Sequence, residues 1–160
     1  MNEKKLSIYL ETSFISYLTN KTNSDPFINA NQRLTKEWWH IKRHLHTLFI
    51  SQTVLDEIAS GHEEAGNRRI ESIKEAQILS ITSEVLALAK AFIDKKIIPI
   101  KASEDAFHLS VSTINEIDIL LTWNCKHIAN REIENKLRET CEKLGYTLPS
   151  IKTPANLLGA

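Results

Sequence analysis

The chain has only two cysteines, Cys125 and Cys141, among its 160 residues. Two are too few for the disulfide framework of a small secreted domain, and their scarcity favours a reducing cytoplasm. No apolar run reaches the ~20 residues that a helix needs to span a bilayer. The first five residues, Met-Asn-Glu-Lys-Lys, lack the apolar segment of a signal peptide. These absences predict a cytoplasmic protein without a membrane span.

The chain also has no net charge, because 20 basic residues balance 20 acidic ones. A general nucleic-acid binder is usually basic, so neutrality argues against strong nonspecific affinity for nucleic acids. Neutrality is still compatible with a nuclease that has a local basic rim. The apolar fraction of 42% and the charged fraction of 25% are typical of a globular protein. The length predicts a single domain over residues 1–160, with enough chain to bury a core.

Short apolar segments alternate with amphipathic stretches along the whole chain. Residues 119–121 are apolar throughout, as expected of a strand that is buried on both faces. This alternation predicts an α/β fold in which a parallel sheet has helices on both faces. The predicted strands are residues 6–10, 47–50, 77–81, 119–121 and 148–152.

The helix boundaries follow from capping residues and helix breakers. Residues 20–29 are polar and predict a loop. Gly61 is predicted to end the helix that carries Glu57. Three serines are predicted to cap helices: Ser51, Ser83 and Ser103. The predicted helices are residues 14–18, 30–46, 51–61, 63–76, 84–94, 103–115 and 131–144, with a short one that starts at Thr153-Pro154.

Four polar residues follow predicted strands or lie in predicted helices, at positions from which their side chains could meet at one edge of the sheet. Glu11 follows the first predicted strand, and Asn124 follows the fully apolar one. Glu57 lies in the helix after the second strand, and Asp105 opens an amphipathic helix. Ligands of parallel sheets bind outside the carboxyl ends of the strands, and acids that converge there repel each other unless a cation lies between them. The pattern predicts a hard-metal site, which suggests phosphoester chemistry.

These positions belong to short segments that are specific as an ordered set. The segments are Glu11-Thr12-Ser13 after a strand, Ser51 to Glu57, Asp105-Ala106-Phe107-His108-Leu109, Leu120-Leu121-Thr122-Trp123-Asn124 and the closing stretch from Ile151 to Leu158. In order and rough spacing they resemble the motifs of PIN domains, as found in the VapC-like bacterial toxins. The resemblance covers nearly the whole chain.

The resemblance implies a PIN-like three-layer α/β/α fold with a short, mainly parallel central sheet. It also implies a ribonuclease that depends on Mg²⁺ or Mn²⁺. Glu11, Glu57 and Asp105 would bind the metal, and Asn124 would complete the catalytic set. Three hydroxyl side chains are expected to hold the acids in place by hydrogen bonds, as supporting groups around metal sites do: Thr12, Ser13 and Thr122.

Two residues depart from the family pattern. Glu11 stands where Asp is usual, and the extra methylene moves its carboxylate by about a bond length. Asn124 stands where many members carry a fourth acid. Its carbonyl oxygen can face a metal, but it adds no negative charge. Three charges in place of four predict a single metal site of modest affinity.

Four further residues are candidate substrate contacts. His108 lies one helical turn after Asp105, and a hydrogen-bonded packing role is an equal alternative for it. His127 follows Asn124 closely in sequence. Arg68 and Arg69 could form a phosphate-binding rim or a solvated helix face paired with neighbouring acids.

Three other side chains have simpler interpretations. Trp38 and Trp39 could stack on RNA bases, but packing or a protein interface is favoured. Cys125 lies beside the predicted site without a nucleophilic partner in sequence, which indicates a reduced, structural thiol.

The sequence therefore predicts a metal-dependent endoribonuclease that hydrolyses RNA phosphodiester bonds by attack of water. The resemblance implies the toxin of a type II toxin–antitoxin pair, with a small antitoxin partner and a homodimer. The alternative is a degenerate PIN domain that binds RNA or protein without cutting it, which the departures at Glu11 and Asn124 keep open. A third option is a phosphatase-like or DNA-directed enzyme on a similar sheet.

Overall fold

The computed structural model describes residues 4–60 and 63–159, which fold around one five-stranded sheet. The strands lie in the order β3-β2-β1-β4-β5, and each neighbouring pair is parallel. The strand order reverses at β1, with β2 on one side of it and β4 on the other. The strands are β1 (Ser7–Leu10), β2 (Thr47–Ser51), β3 (Gln77–Leu79), β4 (Ile119–Leu121) and β5 (Ser150–Lys152).

Both faces of the sheet are covered at its centre. Successive side chains of a strand point to opposite faces, and Ile8, Tyr9 and Leu10 of β1 are all fully buried. Leu120 and Leu121 of β4 are fully buried in the same way. Helices must therefore lie on both faces, which confirms the predicted α/β fold with a parallel sheet.

Eight α-helices follow or connect the strands in the described part of the chain. None of them is both long enough and apolar enough to cross a bilayer. The helices are α1 (Thr12–Thr19), α2 (Pro26–Lys42), α3 (Gln52–Ala59), α4 (Glu63–Ser72), α5 (Ser83–Asp94), α6 (Ser103–Ile114), α7 (Arg131–Lys143) and α8 (Pro154–Leu157).

Helix α2 begins four residues earlier than predicted, inside the stretch expected to be a loop. Asp25 is its N-cap and accepts hydrogen bonds from the backbone N–H groups of Phe27 and Ile28. Pro26 occupies the first turn, where its missing N–H costs no hydrogen bond and its fixed φ suits a helix. The Asp-Pro pair, taken as a loop signal, is therefore a helix start.

The three predicted serine caps are corrected by the structure. Ser51 stands at the N-cap of α3, but its hydroxyl bonds to Tyr9 and not to the helix. Thr82 caps α5 through the N–H of Val85. Ser103 is the first residue of α6, because a 3₁₀ turn leads directly into that helix. The predicted stop at Gly61 lies outside the described residues.

The two adjacent tryptophans pack against the core. Trp38 is 1% exposed, and its ring meets that of Phe14 edge to face, with the centroids 5.7 Å apart. Trp39 is partly buried beside Phe14 and lies under the guanidinium of Arg43. This confirms the preference for packing over base stacking.

A buried hydroxyl in α6 lacks a partner, which leads to a stability prediction. Ser110 is fully buried, and its Oγ has no hydrogen-bond partner within residues 4–60 and 63–159. Because such burial costs about 1–3 kcal/mol, we expect Ser110→Ala to raise the free energy of unfolding by about 1 kcal/mol. Urea unfolding followed by circular dichroism measures this change.

Ser112 is the matched control in the same helix. It is also fully buried, but its Oγ donates to the carbonyl oxygens of His108 and Leu109, at 2.8 and 3.0 Å. Ser112→Ala should therefore lower the free energy of unfolding by about 1 kcal/mol. Equal losses in the two variants would contradict the prediction for Ser110.

Candidate metal centre

The predicted acids gather at the carboxyl edge of the sheet, beside its central strands. Glu11 directly follows β1, at the point where the strand order reverses. Glu57 lies in α3, which directly follows β2, and Asn124 lies just past β4. Asp105 is in the first turn of α6. This edge is where parallel sheets bind ligands.

Glu11 is held by three hydrogen bonds, one of which caps the N-terminus of α1. Its Oε2 accepts from the backbone N–H of Ser13 at 3.0 Å, so Glu11 is the N-cap of the helix. Its Oε1 accepts from the hydroxyls of Ser13 and Thr122, the latter at 2.5 Å. The Ser13 hydroxyl in turn accepts from the N–H of Trp123, at 2.8 Å. The carboxylate is thereby fixed between the ends of β1 and β4.

Glu57 is the acid most open to solvent. Its side chain is 32% exposed, compared with 5% for that of Glu11. Its Oε1 accepts a hydrogen bond from the hydroxyl of Thr12 at 2.7 Å and lies 2.6 Å from Nε2 of His108. No described residue donates to its other oxygen, Oε2. The structure thus pairs Thr12 with Glu57, and Ser13 and Thr122 with Glu11.

His108 lies at the centre of the site, in contact with Glu57 and near Glu11. The ring is fully buried, with Nε2 3.8 Å from Oε2 of Glu11 and Nδ1 2.7 Å from the hydroxyl of Tyr9. A fully buried ring offers RNA no surface, so the substrate contact expected of His108 has no place in this structure. The sequence did indicate that His108 lies near the acids, because it follows Asp105 by one turn of the same helix.

Asp105 is held by two residues from the segment after β4. Its Oδ1 accepts from Nδ2 of Asn124 at 3.0 Å, and its Oδ2 lies 3.0 Å from Nδ1 of His127. The carbonyl oxygen of Asn124 accepts from the backbone N–H groups of Lys126 and His127. Asn124 therefore turns its amide nitrogen toward the acid, and the oxygen expected to face a metal is engaged by its own loop.

The donor set fits a divalent cation. One carboxylate oxygen from each of Glu11 and Glu57 and one ring nitrogen of His108 lie within 4.8 Å of one another. Carboxylate oxygens suit Mg²⁺ and Mn²⁺, and imidazole is a further ligand that transition metals accept. Asp105 is not part of this group, but its carboxylate is close enough to interact electrostatically with Glu11 and His108.

Buried charges in the site shift one another's pKa values. Burial alone would lower the pKa of His108, but its bond to Glu57 and the nearby carboxylates raise it above its ordinary value. Burial would raise the pKa of Glu57, but the bond and charge of His108 lower it. Burial and the charge of Glu11 raise the pKa of Asp105. The charges of the site thus oppose the effect of burial at His108 and at Glu57, whereas at Asp105 the charge of Glu11 acts in the same direction as burial.

The two arginines proposed as a phosphate rim lie beside the C-terminal end of α1. Arg69 donates from Nη2 to Oδ1 of Asn20 at 3.1 Å, and Arg68 pairs with Glu64 at 3.4 Å within α4. Asn20 follows the C-terminal end of α1, roughly 10 Å along the helix from Thr12. A phosphate contact by these side chains stays a prediction, and the Arg68 pair is the ordinary i, i+4 pair.

The two cysteines differ sharply in exposure, which predicts different thiol reactivity. Cys125 is exposed, whereas Cys141 is buried and its pKa is raised by burial to about 11. At pH 8 only about one Cys141 thiol in a thousand is ionised, and the thiolate is the reactive form. We therefore expect Ellman's reagent to label one thiol per native chain quickly and the second only after unfolding. Fast labelling of native Cys125→Ser would contradict this.

Comparison with known proteins identifies structures that share this fold. No protein-family model matches the chain. No curated protein matches it either. Solved structures do match it, among them VapC20 of Mycobacterium tuberculosis, described as a sarcin-ricin loop cleaving toxin. That match has a TM-score of 0.58 and 15% identity, and covers 75% of this chain and 92% of that chain.

Two toxin–antitoxin structures match over almost their whole chains. VapBC-1 of nontypeable Haemophilus influenzae has a TM-score of 0.57 and 14% identity, with 94% of this chain and 99% of that chain covered. VapBC2 of Rickettsia felis, bound to a DNA fragment from its promoter, has a TM-score of 0.55 and 15% identity, with 92% and 98% covered. Identities this low establish a shared fold and not a shared activity. The chain thus has a VapC-like PIN-domain fold, as its motifs predicted.

Proposed function

We propose that this protein is a metal-dependent endoribonuclease and the toxin of a type II toxin–antitoxin pair. The observation that carries the proposal is the convergence of Glu11 and Glu57, with Asp105 beside them, at the carboxyl edge of the sheet. The fold supports it, because one protein with this fold, VapC20, is described as a sarcin-ricin loop cleaving toxin.

Each residue of the site has a distinct part in this proposal. Glu11, Glu57 and Asp105 would hold Mg²⁺ or Mn²⁺, which when bound supplies an activated water and offsets charge on the phosphate. Glu57 is the most exposed acid, so RNA would approach from its side. The remaining polar residues keep the acids in place by the hydrogen bonds described above: Thr12, Ser13, Thr122, Asn124 and His127.

The partners belong to the same proposal. The VapBC structures with this fold are toxin–antitoxin proteins. By analogy, a small antitoxin would bind this chain and cover the acidic edge, and two copies of the chain would form a homodimer. The cytoplasmic location expected from the two cysteines is consistent with an RNA substrate.

The proposed activity is tested by comparing three substrates with the same purified protein. End-labelled total bacterial RNA, single-stranded DNA and a small phosphodiester are each incubated with Mn²⁺ and with EDTA. Cleavage at internal positions in RNA alone, abolished by EDTA, supports the proposal. Equal cleavage of DNA or of the small ester supports the DNA-directed or phosphatase-like alternative instead.

A single metal site of modest affinity is expected. Three carboxylates supply the charge, and Asn124 gives Asp105 an N–H group and not a fourth negative charge. A second divalent ion would meet too little negative charge to offset its repulsion from the first. Calorimetric titration of metal-free protein with Mn²⁺ should give a stoichiometry near one. Two well-occupied ions in a Mn²⁺-soaked crystal would contradict this.

The alternative is a degenerate PIN domain that binds RNA or protein without cleavage. Its support is that Glu11 already accepts three hydrogen bonds and that the carbonyl oxygen of Asn124 is engaged by its own loop. Such a protein would bind RNA in the presence of EDTA and would show no metal binding. Calorimetry with Mn²⁺ therefore separates the two proposals.

A further inference from the structure

A buried chain of hydrogen bonds leads from the sheet to one oxygen of Glu57. The Ser51 hydroxyl lies 2.7 Å from that of Tyr9, which lies 2.7 Å from Nδ1 of His108. Nε2 of His108 then lies 2.6 Å from Oε1 of Glu57. The three residues behind Glu57 are fully buried and come from β1, the end of β2 and α6. Buried polar networks that are fully satisfied are rigid.

The direction of the last hydrogen bond follows from the groups that make it. A carboxylate can only accept, so Nε2 of His108 carries the proton and donates it to Oε1 of Glu57. The Thr12 hydroxyl donates to the same oxygen, at 2.7 Å. Both donors therefore occupy Oε1, and no described residue donates to Oε2. Glu57 is fixed with one oxygen engaged and the other open.

We propose that the chain of Ser51, Tyr9 and His108 positions Glu57, so that its Oε2 is turned toward the cation. His108 is then a positioning residue and neither a metal ligand nor a substrate contact. This inference rests on the proposed function, because it assumes that a cation binds at Glu57. It gives Tyr9 and His108 a role in the site, which the proposed ribonuclease activity by itself does not.

The competing role for His108 is direct binding of the metal through Nε2, since that atom lies within 4.8 Å of both acids. Nε2 faces Oε1 of Glu57 at 2.6 Å, so direct binding of a metal by His108 would break this hydrogen bond and release the proton that makes it. The two roles also differ in metal selectivity. Loss of an imidazole ligand weakens Mn²⁺ more than Mg²⁺, whereas misplacement of a carboxylate weakens both alike.

The test compares metal binding in four variants by calorimetry on metal-free protein, with Mn²⁺ and Mg²⁺ titrated separately. Tyr9→Phe removes one buried hydroxyl, and His108→Leu removes the donor to Glu57. His108→Gln keeps an N–H donor near the same place. Ser112→Ala is the matched control, because it removes a buried hydroxyl of α6 that bonds only to its own helix. Urea unfolding checks that each variant is folded.

We expect Tyr9→Phe and His108→Leu to weaken both metals by about 10–100-fold, as loss of supporting hydrogen bonds around metal sites does. His108→Gln should restore most of the affinity that His108→Leu loses, and Ser112→Ala should match the wild type. Unchanged affinity in folded His108→Leu would overturn the inference. So would a loss confined to Mn²⁺, which would make His108 a ligand.

RNA cleavage by the wild type separates this inference from the proposed function. A wild type that binds metal, with variants that weaken as expected but no cleavage of RNA, contradicts the ribonuclease alone. A wild type that cleaves RNA, with His108→Leu equal to it in metal affinity, contradicts the positioning role alone. A wild type that binds neither metal overturns both.

Discussion

Glu57→Gln is expected to abolish metal-dependent RNA cleavage and to weaken Mn²⁺ binding by more than about 100-fold. Even residues that only support metal ligands contribute about 10–100-fold, so loss of a charged ligand should exceed that range. The amide keeps an oxygen that can accept from Thr12 and His108, so the hydrogen bonds at Oε1 survive. The free energy of unfolding without metal should fall by only about 1 kcal/mol. Calorimetry and a labelled-RNA assay measure the two losses.

The neighbouring acid provides the control for this substitution. Asp56 is exposed and accepts a hydrogen bond from Gln52, one turn earlier in α3. Asp56→Asn removes the same charge from the same helix, one residue away, without touching the acid cluster. It should retain the wild-type metal affinity and cleavage. Equal losses in the two variants would indicate a general charge effect and contradict a specific role for Glu57.

The strands and the sheet were predictable because each is dictated by local composition. The run of three apolar residues at β4 is typical of a strand that is buried on both faces, and its bounds are those predicted. The start of α2 was missed because Asp25-Pro26 is compatible with both a loop and a helix start. The cap itself decides for the helix, because the Asp25 side chain accepts from the backbone N–H groups of Phe27 and Ile28.

The gathering of the acids was predictable, but their hydrogen-bond partners were only partly so. Parallel strands bring their carboxyl ends to one edge, so residues that follow β1 and β4 must lie near each other. His108 was harder to place, because its position depends on Tyr9 of the central strand, 99 residues away in sequence. The orientation of Asn124 depends on the turn made by its own loop, which residue types alone do not fix.

The structure also suggests how the acids avoid destabilising the fold when no metal is bound. Glu11 is nearly buried, yet it receives three hydrogen bonds and lies 3.8 Å from His108. A buried carboxylate that is so bonded costs far less than an isolated one. The same bonds fix the carboxylate before a cation arrives. Preorganisation and stability thus have the same source at this edge of the sheet.

Trp38→Ala is expected to lower the free energy of unfolding by about 3–5 kcal/mol, the range for removal of a large aromatic side chain from a core. Trp38 is among the largest fully buried side chains described. It meets Phe14 of α1 edge to face and stacks on His46, with the ring planes within 3° of parallel. Because whole-domain stability is about 5–15 kcal/mol, the variant should be marginally folded at 37 °C. Urea unfolding at 15 °C, followed by circular dichroism, measures the loss.

The loss in Trp38→Ala should depend on burial and not on the removal of an aromatic ring from α2. Phe27 lies at the start of the same helix but is 83% exposed. Phe27→Ala should change the free energy of unfolding by less than about 0.5 kcal/mol, as surface substitutions usually do. Trp38→Phe should fall between the two, because the smaller ring still fills part of the space beside Phe14. A loss below about 1 kcal/mol in Trp38→Ala would mean that α2 does not anchor α1, the helix that begins at the metal site.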